Sequence, residues 1–116
     1  MKNLVLVVLC AQLFACATGG GSAFYWGNYS STLYKLKTSP SEETTLGHIE
    51  ELEEIVTKSA EKQQAVPPGV HAELGYMYAD VEQNDKAIEH YNAETEAYPE
   101  AGYFVQKLKE LMGNSK

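Results

Sequence analysis

The histidines are the first residues in this chain whose chemistry could serve catalysis or metal binding. His48, His71 and His90 lie far apart and share no metal-ligand spacing. His71-Ala72-Glu73 has the H-x-E pattern of one zinc-site signature, but the P-C-x-x-C half that completes it is absent. His90 falls on the flank of a predicted helix, and we interpret it as a surface residue. The histidines therefore predict no metal site.

Motifs for other enzyme chemistry are also missing from the sequence. It contains no G-x-S-x-G elbow, no phosphate-binding glycine loop and no H-E-x-x-H pair. Its many glutamates could be drawn as acid–base pairs, but solvent-exposed carboxylates lack the perturbed pKa values of catalytic groups. We therefore predict no catalytic residue, no cofactor and no enzymatic activity. A small envelope hydrolase or metal binder is the weakest alternative.

The cysteines point to the start of the chain. Leu4 to Cys10 is continuously apolar after a lysine, and this run is too short for a membrane span of about 20 residues. Residues 1–15 are therefore predicted to be a signal peptide. Leu13-Phe14-Ala15-Cys16 resembles the lipobox of bacterial lipoproteins, although Phe14 departs from the residue type usual at its position. An ordinary cleaved signal with an incidental cysteine is the alternative.

The lipobox resemblance implies that Cys16 becomes the mature N-terminus and carries several acyl chains, palmitate among them. Each buried methylene contributes about 0.8 kcal/mol, so several chains anchor a protein stably. Ala17, where an Asp would retain a lipoprotein at the inner membrane, implies the periplasmic face of the outer membrane. Residues 16–24 are small and glycine-rich, which predicts a flexible tether.

The charge of the chain excludes one class of partner. Sixteen acidic residues against nine basic ones, all lysines, give a net charge of −7. Nucleic-acid binding needs a basic patch that neutralises phosphates, so we predict no nucleic-acid partner. An anionic membrane surface would repel the body of the protein, which leaves the lipid on Cys16 as the membrane attachment.

Hydrophobic periodicity predicts an all-α domain at residues 25–113, with about four to five helices and a tail at 114–116. The predicted helices cover residues 26–37, 40–64, 68–81, 85–98 and 100–112. Trp26 starts an aromatic stripe that we assign to the core, with the membrane interface as the alternative. Ser39 and Glu42 have the spacing of a capping box for the second helix. Proline marks the later breaks and Gly113 the last stop.

The second helix separates apolar from acidic residues. The apolar positions are Leu46, Ile49, Leu52, Ile55, Val56 and Ala60, and the acidic ones are Glu50, Glu51, Glu53, Glu54 and Glu61. We interpret the glutamates as a solvated face, since like charges at neighbouring helical positions disfavour dense packing.

Leu74-Gly75, Tyr78, Ala87, Tyr91 and Pro99 have the order and spacing of a tetratricopeptide repeat, which the region from Pro68 to Ala101 resembles. The resemblance implies an antiparallel helix pair that approaches closely at Gly75 and Ala87. One repeat is convincing, and about three are usually needed to bury their faces. The flanking helices, or a partner, must supply the missing packing.

The repeat resemblance also indicates candidate partner-binding residues. The concave groove of the larger family corresponds here to Ala72, Tyr76, Ala79 and Asp80, of which Tyr76 and Asp80 are the best candidates. Two positions depart from the repeat pattern, His71 at a large apolar position and Glu94 at a small one. Glu94 either hinders packing against the last helix or marks a carboxylate with a specific partner, so it joins the candidates.

The lipobox, WGNYSSTLY, VPPGVHAELGYMY and YPEA together resemble a family of small bacterial lipoproteins of unknown function. That family is often encoded beside a curli-secretion-type lipoprotein, which implies assembly with other envelope lipoproteins. The resemblance thus favours a membrane-anchored interaction subunit or adaptor of an envelope complex, for example a secretion-type one. The alternative is a self-associating structural lipoprotein with no separate client, so a homo-oligomer stays open.

The anchor generates the first testable prediction. Cys16→Ser removes the thiol that would carry the lipid, so the protein should move from the membrane fraction to the soluble periplasmic fraction. Immunoblotting of fractionated cells measures this, and Cys10→Ser is the control that should stay with membranes. Membrane retention of the Cys16 variant would contradict the lipobox interpretation.

Overall fold

A computed structural model describes residues 23–114, and these residues form an all-α fold, as predicted. The predicted signal peptide, Cys16 and nearly all of the tether lie outside the described residues. Five α-helices follow in order: α1 Tyr29–Thr38, α2 Glu42–Glu61, α3 Val70–Asp80, α4 Asn84–Ala97 and α5 Gly102–Asn114. Between residues 23 and 114 no helix is long and apolar enough to cross a membrane.

The segment before α1 packs differently from the prediction. Trp26 was assigned to the core, but it is 39% exposed and makes an edge-on contact with Tyr29, with ring centroids 5.3 Å apart. Tyr25 and Tyr29 pack against the core instead. Helix α1 starts only at Tyr29, because Gly27 takes the left-handed φ of 48° and its neighbour Asn28 donates its backbone N–H to Glu51 Oε1 at 2.6 Å.

The capping box of α2 lies two residues later than predicted. Ser41, not Ser39, is the N-cap, and its hydroxyl accepts the Thr44 backbone N–H at 3.1 Å. The Thr44 hydroxyl in turn accepts the Ser41 backbone N–H at 2.9 Å, so threonine takes the place of Glu42 in the reciprocal pair. Both glutamates after Ser41 then fall in the first turn, where the helix dipole favours negative charge.

The buried face of α2 is narrower and more polar than its apolar residues suggest. Ile49, Leu52 and Ile55 belong to the core, as predicted. Leu46 and Ala60 are exposed, while His48 and Ser59 are fully buried. The face is therefore rotated toward His48, which lies against α1.

Helices α3 and α4 form an antiparallel hairpin, the most closely associated pair among the described residues. At one end the turn holds Glu82 in a left-handed conformation, φ 61°, and the next backbone N–H, that of Gln83, donates to the Tyr78 carbonyl at 2.8 Å. Such 6→1 bonds close the C-terminus of a helix. Helix α4 begins at Asn84, and its N-cap residue Gln83 makes no side-chain capping hydrogen bond.

The predicted close approach within the hairpin is confirmed. Ala87 is fully buried, and the Tyr91 ring lies against Gly75 where a β-carbon would be. Glycine at position 75 thus makes room for the largest fully buried side chain. Leu74, Met77 and Tyr78 complete the α3 side of this contact.

Helix α5 packs along the hairpin. Pro99 starts a 3₁₀ turn through Ala101, and Val105 is the α5 residue buried in the core. Gly113 was expected to stop the helix, but α5 continues to Asn114. Phe104 and Leu111 share one flank of α5 and remain exposed. The helix therefore packs Val105 against the core and exposes the apolar side chains of Phe104 and Leu111 to solvent.

The close approach at Gly75 can be tested by adding one methyl group. Gly75→Ala should lower the free energy of unfolding by about 1–3 kcal/mol, the usual cost of overpacking a core. Urea denaturation followed by circular dichroism measures this. Gly47→Ala is the matched control, because its β-carbon meets nothing within 4 Å and Ala is favoured in a helix by about 1 kcal/mol. Equal effects at the two positions would refute the packing argument.

Candidate partner-binding groove

An open groove runs between the C-terminal halves of α3 and α5. Tyr76, Ala79 and Asp80 line it from α3, and Leu108, Leu111 and Met112 line it from α5. Its volume is about 520 Å³. Tyr76 is 56% exposed and Leu111 62% exposed, so large apolar surfaces on both walls face solvent.

The floor and the ends of the groove differ in polarity. Tyr91 of α4 lies beneath it, and burial raises the pKa of its hydroxyl, with a smaller contribution from Tyr76. At one end the α3–α4 turn adds Glu82 and Asn84 beside Asp80. The C-terminus of α3 carries the negative end of the helix dipole there. The groove thus joins an apolar channel to an acidic end.

The structure brings together most of the residues that were predicted for the groove. Tyr76, Ala79 and Asp80 do line it. Ala72 does not, because it is buried and its backbone N–H points to Glu94 Oε2, 3.3 Å away. The α5 wall was not predicted as part of the groove, since the way α5 packs beside α3 depends on contacts between residues distant in sequence.

Glu94 is not available to a partner in this conformation. Its side chain is only 2% exposed, and its carboxylate accepts the Gly69 backbone N–H through Oε1 at 2.8 Å. With Ala72 bound to the other oxygen, Glu94 satisfies the free N–H groups at the start of α3. Of the two interpretations of Glu94, the structure shows a carboxylate with specific partners, and those partners are backbone amides of the same chain.

The cap provided by Glu94 replaces one that α3 lacks. Gly69 occupies the N-cap position with φ 91° and has no side chain to offer the first turn. A carboxylate at a helix N-terminus also interacts favourably with the dipole. Glu94 therefore caps α3 as Ser41 caps α2, but it lies more than twenty residues from α3's first turn along the chain.

His48 takes part in a polar network that sequence reasoning missed. Its ring is fully buried, with Nδ1 2.7 Å from the Thr32 hydroxyl and Nε2 2.8 Å from Glu73 Oε1. Tyr29 donates its hydroxyl to Glu73 Oε2 at 2.7 Å. This network joins α1, α2 and α3 through residues that share no local spacing, so no sequence signal could identify it.

A second network joins α2 to the hairpin. Glu53 Oε1 accepts the Tyr78 hydroxyl at 2.8 Å and lies 3.1 Å from His90 Nε2, while His90 Nδ1 lies 2.9 Å from His71 Nδ1. The expectation that His90 is a surface residue is wrong, since its side chain is only 12% exposed. The glutamates of α2 are not uniformly solvated either, because Glu51 is buried and Glu53 is bonded to the hairpin.

The tyrosines of these networks act as hydrogen-bond donors. Burial raises the pKa of Tyr29 to about 12, and the hydrogen bond to Glu73 and its charge add to the effect. Burial likewise raises the pKa of Tyr78 to about 12, with added contributions from Glu53 and Glu89. Both hydroxyls therefore keep their protons throughout the neutral range and hold the carboxylates in place. Over the described residues no group of three His, Cys, Asp or Glu side chains is arranged to hold a metal ion.

Residues 23–108 match a protein family described as a domain of unknown function, DUF4810. The match covers about three quarters of the chain. The chain belongs to this family. No curated protein and no solved structure matches this chain significantly. The family region contains α1 to α4 and the first half of α5, so Leu111 and Met112 of the groove lie just beyond it.

The buried cap gives a prediction on stability. Glu94→Gln removes the charge and leaves one backbone N–H facing an amide group that cannot accept from it. The free energy of unfolding should fall by about 1–3 kcal/mol, the cost of an unsatisfied buried group. Urea denaturation measures it. Glu96→Gln, on the exposed face of the same helix, is the control and should change stability by less than about 0.5 kcal/mol.

Proposed function

We propose that this protein is a non-enzymatic, lipid-anchored interaction subunit of a bacterial envelope assembly. On this proposal, Cys16 carries the lipid, the protein lies at the periplasmic face of the outer membrane, and its partners include other envelope lipoproteins. The α3–α4 hairpin is the tetratricopeptide-like unit, and the groove between α3 and α5 receives the partner. The observation that carries the proposal is the solvent-exposed apolar channel with an acidic end.

The hairpin supports the tetratricopeptide-like description in its packing. Gly75 and Ala87 lie at its close approach, as the repeat resemblance implies, and Tyr91 fills the space between the helices. Helix α5 contacts both helices of the hairpin, as a capping helix would on this proposal. Repeats of this kind expose a concave surface for peptides.

The shape and charge of the groove indicate the chemistry of its occupant. Tyr76 and Leu111 form walls that suit apolar side chains at the spacing of a helix face, as in other helix-in-groove complexes. Asp80 and Glu82 at the acidic end suit a lysine or arginine. We therefore propose an amphipathic segment with an apolar face and a basic end. A second copy of this chain suits the acidic end less well, because its net charge is −7.

Site-specific photocrosslinking tests the groove in intact cells. A photoreactive amino acid at position 76 should capture a partner segment that bears apolar residues and a basic residue. The same amino acid at position 34 is the control, since Tyr34 is also exposed, at 69%, but lies on α1, away from the groove. Mass spectrometry of the captured peptide identifies the segment.

Charge reversal separates specific binding from general attraction. Asp80→Lys should reduce capture at position 76 about tenfold, equivalent to about 1.4 kcal/mol of binding free energy. Glu96→Lys makes the same change in net charge away from the groove and should leave capture unchanged. Equal capture from position 34, or equal loss with both lysine variants, would refute the groove. Capture of this chain's own peptide would favour the self-associating alternative.

A further inference from the structure

The contact between His71 and His90 is the most unusual arrangement of titratable groups in the described chain. The two imidazoles stack with their centroids 5.2 Å apart, and their Nδ1 atoms are 2.9 Å from each other. His71 belongs to α3 and His90 to α4. On its other side His90 contacts Glu53 of α2, so one chain of polar contacts links three helices.

Proton counting restricts the charge states that this contact allows. A separation of 2.9 Å between two nitrogens is a hydrogen bond, and one hydrogen fits between them. If His90 is neutral and donates from Nε2 to Glu53, its Nδ1 accepts the hydrogen of His71 Nδ1. If His90 is cationic, its Nδ1 donates to a neutral His71. In neither arrangement can both rings be protonated, because two N–H groups would then point at each other.

Charged and titratable groups surround the pair from each helix that packs on it. Glu53 faces the pair from α2, and Glu89 and Glu94 face it from α4. Tyr78 of α3 stacks on the His90 ring, and the Lys86 ammonium lies over the Tyr78 ring. Burial lowers the pKa of His71, and the His90 ring lowers it further. The three carboxylates act in the opposite direction but do not reverse the shift.

We propose that His71 and His90 form an acid-sensitive latch that holds α3 to α4 and, through Glu53, the hairpin to α2. With at most one added proton the pair is a hydrogen bond between helices. A second proton converts it into two cations in contact and opens the latch. The Tyr78 hydroxyl, bonded to the same Glu53 oxygen, belongs to the latch as well.

The sign of the pH dependence follows from the proton count. In the unfolded chain both histidines titrate near their ordinary value of about 6.5, so the unfolded state takes up two protons in acid. The closed latch takes up one at most. Stability from the latch is therefore complete above about pH 6.5 and is lost as the pH falls. One proton of difference lowers the folding constant about tenfold per pH unit in that range.

Two measurements on the full-length protein in detergent micelles test the latch. The first is urea unfolding between pH 7.5 and 5.0 for the wild type, His71→Gln and the control Glu96→Gln. From pH 6.5 to 5.0 the wild-type folding constant should fall about 15-fold more than that of His71→Gln. The control should follow the wild type, because it leaves both histidines and Glu53 in place.

The second measurement is the NMR titration of the histidine Cε1 protons, which does not depend on the stability of His71→Gln. His71 should titrate below its ordinary pKa in the wild type, and its pKa should rise in His90→Gln, where the second cation cannot form. Parallel unfolding profiles for the wild type and His71→Gln would overturn the latch. So would a wild-type His71 that titrates at or above 6.5.

Discussion

A buried carboxylate at the start of α3 is the interaction on which the hairpin depends. Glu94 lies on α4, and its two oxygens satisfy backbone N–H groups at Gly69 and Ala72. The Val66-Pro67-Pro68-Gly69 segment interrupts the helical structure before α3 but offers no side chain to cap that helix. The cap therefore has to come from the partner helix, and this fixes the ends of α3 and α4 relative to each other. Glu94, one of the two residues that depart from the repeat pattern, thus joins the two helices of the hairpin at the end opposite the turn.

The rest of the domain repeats this use of polar groups between helices. His48 ties α1 and α2 to Glu73, and Glu53 ties α2 to Tyr78 and His90. The apolar core alone is small, so hydrogen bonds between side chains contribute to holding the described helices in register. Directional hydrogen bonds determine how α2 sits on the hairpin, while Leu52 and Ile55 provide the burial. A domain built in this way carries titratable groups at its helix contacts, which makes it responsive to acid.

The groove and the polar networks lie on different faces of α3. Tyr76 and Asp80 point into the groove, whereas His71 and Tyr78 point toward α2 and α4. Helix α3 therefore connects the proposed partner site to the latch without sharing residues between them. The apolar edge of α5 completes the groove, so the same helix that seals the core also shapes the surface that a partner would meet.

The sequence by itself determined the helical fold and, to within a few residues, the breaks between helices. These are local properties, since periodicity and proline act within one or two turns. It also placed Tyr76 and Asp80 on one face. Only the tertiary structure decided that Glu94 caps α3, that His90 is buried and that α5 forms the second wall. Those outcomes depend on contacts between residues of different helices. Hydrogen bonds between side chains distant in sequence produce no periodic pattern from which they could be predicted.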